Sequence, residues 1–203
     1  MISPIITAVF TVAYLAVTAW LCRGVKLDAR ALACGGLTCA ATLALAGVYI
    51  PLPTGASITA GSMLPLMLLA LVYDPRLAFL TGWATGLLAL VLLPLWAPVH
   101  WAQVFVEHLT AFSCLGYAGI FGSGKRWRVL LGAALAILLR FTGQVLSGVI
   151  FFSDNAWDGW GAWGYSLTYH LSSKVPEGVL TAAILLALPL PAIRRAVKGG
   201  EAR

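Results

Sequence analysis

Charge is what this sequence has least of. Among 203 residues there are only 13 Lys and Arg and 7 Asp and Glu, so 10% of the chain is charged. A soluble domain carries about 25%, which excludes an ordinary water-soluble fold. With 61% hydrophobic residues and a mean hydropathy of +0.92, the composition is that of an integral membrane protein throughout, without a separate soluble domain. The four cysteines, Cys22, Cys34, Cys39 and Cys114, fall in apolar runs without CxxC spacing. Neither a disulfide framework nor a zinc site is indicated. His100, His108 and His170 are the only histidines, and they lack HExxH or HxxxH spacing. That pattern and the lack of a nucleophile–base pair argue against a metal site or an enzyme. A P-loop is also missing, so ATP hydrolysis is not expected in this chain. The net charge of +6 would suggest nucleic acid in a soluble protein, but here the basic residues flank hydrophobic runs, and topology explains them.

What is present is a series of seven hydrophobic segments, at 3–22, 29–50, 61–73, 77–96, 101–121, 129–152 and 174–192. A span needs about 20 apolar residues. The third segment is short and carries Pro65, which predicts a short or kinked span. The first lacks the basic flank and the cleavage site of a signal peptide and is read as a retained helix. Arg23, Lys26, Arg30, Arg76, Lys125, Arg126, Arg128, Arg194, Arg195, Lys198 and Arg203 occupy alternate connections, leaving only Arg140 and Lys174 of the thirteen basic residues elsewhere. The positive-inside rule then predicts an outer N-terminus and a cytoplasmic C-terminus.

On that topology the connection after the sixth span faces outward. Its sequence, AWDGWGAWGYSLTYH at 156–170, carries Trp157, Trp160, Trp163, Tyr165 and Tyr169 among glycines. One reading is an interfacial aromatic belt. The other is a lid or pocket wall that stacks on a flat or cationic solute. Asp154, Asp158, Glu177 and Lys174 are assigned to the same outer face. Within the spans, ionisable residues are expensive and mark function by default. Glu107 and His108 sit about two turns into the fifth span. Arg140, Gln144 and Ser147 share one face of the sixth, at helical spacing. Arg140 and Glu107 pair structurally, or Glu107 serves as counter-ion to a cationic solute beneath the aromatic stretch.

The segments QVFVEHLTAFSCLGYAGIFG and LLRFTGQVLSGVIFFSDNAWDGWGAWGYSL, with GASITAGSMLPLMLLAL before them, resemble the thiamine-specific substrate-binding subunits (S components) of energy-coupling factor (ECF) transporters. The resemblance covers about residues 28–192. It implies an all-α membrane protein with a six-helix substrate-binding domain, here at 28–203; the transmembrane helix and basic loop at 1–27 are extra to that pattern. It also implies capture of thiamine or a close relative at the outer face, a coupling transmembrane subunit and two cytoplasmic ATPases as partners, and no cofactor. Carried over position by position, Glu107 matches the family's ligand-facing carboxylate, Tyr165 a ligand-contacting tyrosine and Trp157 a tryptophan of the site. His108 stands where the family often has tyrosine, Phe152 replaces a second tryptophan, and Ser147 lies in the family's S-G step. Gln144 replaces a histidine and His170 an asparagine; these two have exchanged hydrogen-bonding duties or mark a changed ligand. Gly36 and Ala40 would form the small-residue face toward the coupling subunit. A thiazolium cannot lose its charge, so a buried site for it needs a carboxylate and aromatic faces. The alternatives are an S component for a thiamine precursor or another vitamin and, in a different class, a stand-alone ion-coupled carrier or a small intramembrane enzyme.

Overall fold

The computed structural model describes residues 2–93 and 98–198. Trp96, expected in an outer turn, lies outside the described residues. The chain is helical almost throughout: α1 (Ile2–Leu21), α2 (Ala29–Gly47), α3 (Leu64–Val72), α4 (Pro75–Leu92), an irregular helix at 101–119 here called α5, α6 (Arg126–Phe151), α7 (Ala162–Ala187) and α8 (Leu190–Lys198). A short antiparallel hairpin, β1 (Tyr49–Pro51) and β2 (Ser57–Thr59), joins α2 to α3. It forms an all-α membrane bundle with an additional N-terminal helix. Among the described residues, α1, α2, α4 and α6 are long and apolar enough to cross a bilayer, and α7 with α8 adds a fifth candidate bent by 74°.

Local sequence sets the helix ends. Asp28 accepts the Ala31 N–H at 2.7 Å, and Asp74 accepts that of Arg76 at 2.8 Å, so α2 and α4 both start on an acidic N-cap. Pro65 falls in the first turn of α3, where its missing N–H costs nothing, so α3 is short rather than kinked. At nine residues it spans roughly 13 Å, less than half a bilayer core.

The seventh span differs from expectation. The chain becomes helical at Ala162, not at 174, so Trp163, Tyr165, Tyr169 and His170 stand on α7 rather than in a loop. Glycines at 159, 161 and 164 had suggested an irregular connection, but only the first two precede the helix. Lys174 and Glu177 thereby move from the outer face to the buried interior of α7. The helix stops before Pro189, and α8 turns away with Arg194 and Arg195 on it.

The bundle closes around α5. Its pitch changes three times: a short α-turn at Trp101–Gln103, a π-helical turn at Val104–Leu109, an α-turn at Thr110–Ser113 and a 3-10 helix at Cys114–Gly119. Backbone this irregular is tolerated at membrane depth only when protein buries it. Glycines make that burial possible. A Cβ on Gly82 would overlap the Ser113 backbone, one on Gly86 the His108 carbonyl, and one on Gly132 the Ala118 carbonyl. Gly116 leaves room for the ring of Phe79, which stacks edge-on against Tyr117.

The extra helix α1 packs on this same centre. Thr7, Thr11, Tyr14 and Thr18, spaced four, three and four apart, are buried, while Val9, Val12 and Trp20 face outward. The Tyr14 hydroxyl lies 2.7 Å from Ser113 Oγ, tying α1 directly to α5.

The glycine contacts make a paired prediction. Gly132→Ala overpacks the core and should destabilise the protein by about 1–3 kcal/mol. Gly36→Ala, where a Cβ meets nothing within 4 Å, should raise stability by about 0.5–1 kcal/mol through helix propensity. Thermal unfolding in detergent, with the two variants shifting in opposite directions, is the check.

Candidate ligand-binding cavity

Helices α5, α6 and α7 enclose a cavity of about 430 Å³, within the ~300–1,000 Å³ typical of small-molecule sites. Its lining falls into three levels, because each helix contributes residues one turn apart. The mouth holds Ser57 from β2, Phe152, Asn155, Tyr165 and Tyr169; the middle holds Glu107, His108, Gln144 and His170; the floor holds Phe112, Arg140, Ser173 and Lys174. Among the lining residues Val99 is 65% exposed and Arg140 only 2%.

The π-helical turn carries Glu107 and His108, and its wider pitch is a frequent feature of functional sites. Thr110 donates both its backbone N–H and its hydroxyl to the Phe105 carbonyl, the hydroxyl at 2.9 Å, so one residue closes the π-helical turn. Glu107 Oε2 accepts from Gln103 Nε2 at 2.6 Å and from Ser147 Oγ at 2.9 Å. Gln103 precedes Glu107 by four residues and Ser147 reaches across from α6. The carboxylate is therefore fixed from two helices, and its charge stays directed at the cavity.

At the floor, Arg140 does not pair with Glu107. Its Nη1 donates to the Ala111 carbonyl at 3.1 Å, and the guanidinium lies 5.3 Å from the Phe112 ring centroid. The same carbonyl also accepts from Cys114 Sγ at 3.3 Å, so the guanidinium shares this acceptor where α5 tightens toward its 3-10 turns. Lys174 Nζ stands 3.8 Å from Glu177 Oε2. Glu177, fully buried at 0%, accepts hydrogen bonds from Thr59 Oγ1 and from Ser62 Oγ, the latter at 3.0 Å. Thr54 Oγ1 lies 3.0 Å from Ser172 Oγ, and the Tyr169 hydroxyl donates to the Gly55 carbonyl at 3.2 Å. Three polar contacts thus fasten the β-hairpin to α7, and Ser57 of the hairpin lines the cavity.

Of the residues singled out in the sequence, Glu107, His108, Gln144, Phe152, Tyr165 and His170 line this one cavity. Ser147 does not line it but holds Glu107. Trp157 does not line it either; it packs edge-on against Trp160 and Tyr165, with centroids 5.2 and 5.0 Å away, and so buttresses the mouth from behind. Trp160 and Trp163 face outward. Gly36 and Ala40 lie on the outward face of α2, far in the chain from the cavity walls. Sequence reasoning missed Gln103, Tyr169 and Lys174 as site residues. The first was detectable as the i−4 neighbour of Glu107 on one helix face. The other two were hidden once the start of the seventh helix was placed at 174.

A helical membrane bundle with a polar, aromatic-mouthed cavity in its interior is a solute-binding membrane protein. The chain matches the family model "Thiamine transporter protein (Thia_YuaJ)" over residues 32–196, and it belongs to that family. It is similar to the thiamine transporter ThiT of Bacillus subtilis (strain 168), 29% identical over 162 residues covering 74% of this chain and 83% of that protein. The solved structure of ThiT from Listeria monocytogenes has the same fold, with a TM-score of 0.72 at 20% identity over 81% of this chain and 96% of the other. The chain is accordingly a multi-pass membrane transport protein, not an enzyme. The family match begins after α1, so the N-terminal helix lies outside it.

The Glu177 cluster makes a prediction of its own. Thr59→Val removes a donor from a buried carboxylate and should cost about 1.5–3 kcal/mol. Amide hydrogen exchange at residues 48–60 should accelerate, while exchange in α6 stays slow.

Proposed function

We propose that this protein is the substrate-binding subunit of an ECF-type vitamin uptake transporter, capturing thiamine or a close relative from the outer side of the plasma membrane. The observation that carries the reading is Glu107, held by Gln103 and Ser147 with its charge toward a cavity whose mouth is formed by Phe152, Tyr165 and Tyr169. A permanent cation gains from a fixed carboxylate, and aromatic faces contribute about 0.5–2 kcal/mol per contact. Gln144 and His170, both lining the same level, supply donors and acceptors for a heteroaromatic ring. The thiamine named in the family and in the Bacillus subtilis relative supports the choice of solute.

The distribution of charge supports the orientation. Arg23, Arg76, Lys125, Arg126, Arg128, Arg194 and Arg195 gather at one end of the bundle, where Cys22 Sγ meets the Arg76 carbonyl and Arg194 reaches Ser123. By the positive-inside rule that end is cytoplasmic, which puts the cavity mouth and the N-terminus outside. Transport then needs a partner that hydrolyses ATP, namely the coupling transmembrane subunit with its two ATPases. The outward face of α2, with Ala33, Gly36, Ala40 and Ala44 exposed at helical spacing, suits close approach by a partner helix.

Titrating the purified protein with thiamine should quench tryptophan fluorescence saturably at micromolar ligand or below. Glu107→Gln should weaken binding at least tenfold, about 1.4 kcal/mol or more. Absence of saturable binding in the wild type would overturn the assignment. For the docking face, Gly36→Leu with Ala40→Leu should reduce co-purification with the coupling subunit while the thiamine titration stays as in wild type; unchanged co-purification would remove α2 as the contact.

A further inference from the structure

The additional helix α1 lies outside the family match, which begins at residue 32, yet it reaches the backbone that carries the site. It packs against α6 and against the π-helical and α-helical turns of α5. A Cβ on Gly143 would meet the Val106 carbonyl oxygen at 3.3 Å and Cε1 of Phe10 at 3.5 Å, so Phe10 stands at the seam between α5 and α6. Val106 and Gly143 each precede a cavity residue, Glu107 and Gln144. One turn further along α1, the ring of Tyr14 stacks on Phe10, with centroids 6.3 Å apart, and approaches Tyr117 at 6.1 Å.

The Tyr14 hydroxyl adds a directional contact to this packing. It is 2.7 Å from Ser113 Oγ, and Ser113 Oγ is 2.5 Å from the Leu109 carbonyl oxygen, with the Thr110 carbonyl a longer second acceptor at 3.4 Å. A carbonyl can only accept, and a serine hydroxyl has a single proton to give. Ser113 therefore donates to Leu109, and Tyr14 donates to Ser113. Leu109 is the last residue of the π-helical turn Val104–Leu109, so the hydrogen bonds that start on α1 end on the turn that presents Glu107. Gln103 and Ser147 hold a carboxylate oxygen of Glu107, not the backbone behind it. A π-helical turn is a rare pitch, and a binding group placed to within about 0.5 Å needs its supporting shell locked as well. We propose that α1 is a working part of the binding site, with Tyr14 as a positioning residue that, through Ser113, sets where the π-helical turn holds Glu107. The inference rests on the proposed function, in which Glu107 meets the cation, and gives the N-terminal helix a part in it.

Thiamine titrations of the full-length protein in a double-mutant cycle decide the matter. Tyr14→Phe keeps the ring packing and removes only the hydroxyl. It should weaken thiamine binding about three- to tenfold, the range covered by one net hydrogen bond. In a Glu107→Gln background the same change should weaken binding by less than about twofold, because the group being positioned has lost its charge. Val12→Ala, on the outward face of α1, should bind thiamine as wild type does. Ser113→Ala cuts the link from the α5 side and should reproduce the Tyr14→Phe loss; it carries the test where Tyr14→Phe does not fold. Affinity within about twofold of wild type in these variants overturns the inference while the proposed function stands. An equal fold-loss in both backgrounds also overturns it, and assigns Tyr14 to the fold alone. Wild-type protein that binds no thiamine removes the proposed function and the inference with it.

Discussion

The structure depends on burying one irregular stretch of backbone. Residues 101–119 change helical pitch three times, and at membrane depth such irregular backbone is tolerated only where protein buries it. The rest of the bundle is arranged to solve that problem. Gly82 and Gly86 of α4 and Gly132 of α6 bring neighbouring backbones into direct contact with it. Thr110 and Arg140 donate to carbonyls of this stretch, and Tyr14 of the additional helix reaches its Ser113. The same irregularity presents Glu107 and His108 to the interior, so the feature that is hardest to bury is also the one that builds the site.

This arrangement explains why polar residues in α6 and α7 lie at such regular intervals. Arg140, Gln144 and Ser147 follow one face of α6, and Tyr165, Tyr169, His170, Ser173 and Lys174 follow the facing surface of α7. Together they wall a cavity graded from aromatic to acidic to basic. The β-hairpin is tied to α7 by Glu177, Ser172 and Tyr169, so the hairpin and the cavity lining share one helix. Lys174 belongs to both, lining the floor while standing beside the carboxylate that anchors the hairpin.

Much of the cavity was legible because charge in an apolar chain is conspicuous. Glu107, His108, Gln144 and His170 stood out against hydrophobic neighbours, and all four line one cavity. The aromatic stretch was harder. Gly159, Gly161 and Gly164 made 156–170 look like a loop, yet the helix starts at Ala162 because packing against α6 outweighs a weak local preference. Gly148 of α6 lies against Ser166 and His170 at that contact. Trp157, matched to a site tryptophan by family likeness, supports Tyr165 instead of lining the cavity. No spacing rule distinguishes a side chain that forms a wall from one that stands behind it.

The sequence by itself determined the solvent, the all-helical class, the grouping of basic residues at one end and the identity of the buried ionisable groups. These follow from composition and from the cost of charge in hydrocarbon, which act on each residue separately. Only the tertiary structure decided that Arg140 bonds a backbone carbonyl rather than Glu107, that Glu177 holds the hairpin, and that Lys174 faces the cavity. Those outcomes depend on distances between helices far apart in the chain, and these are set by glycine contacts and by the pitch of α5.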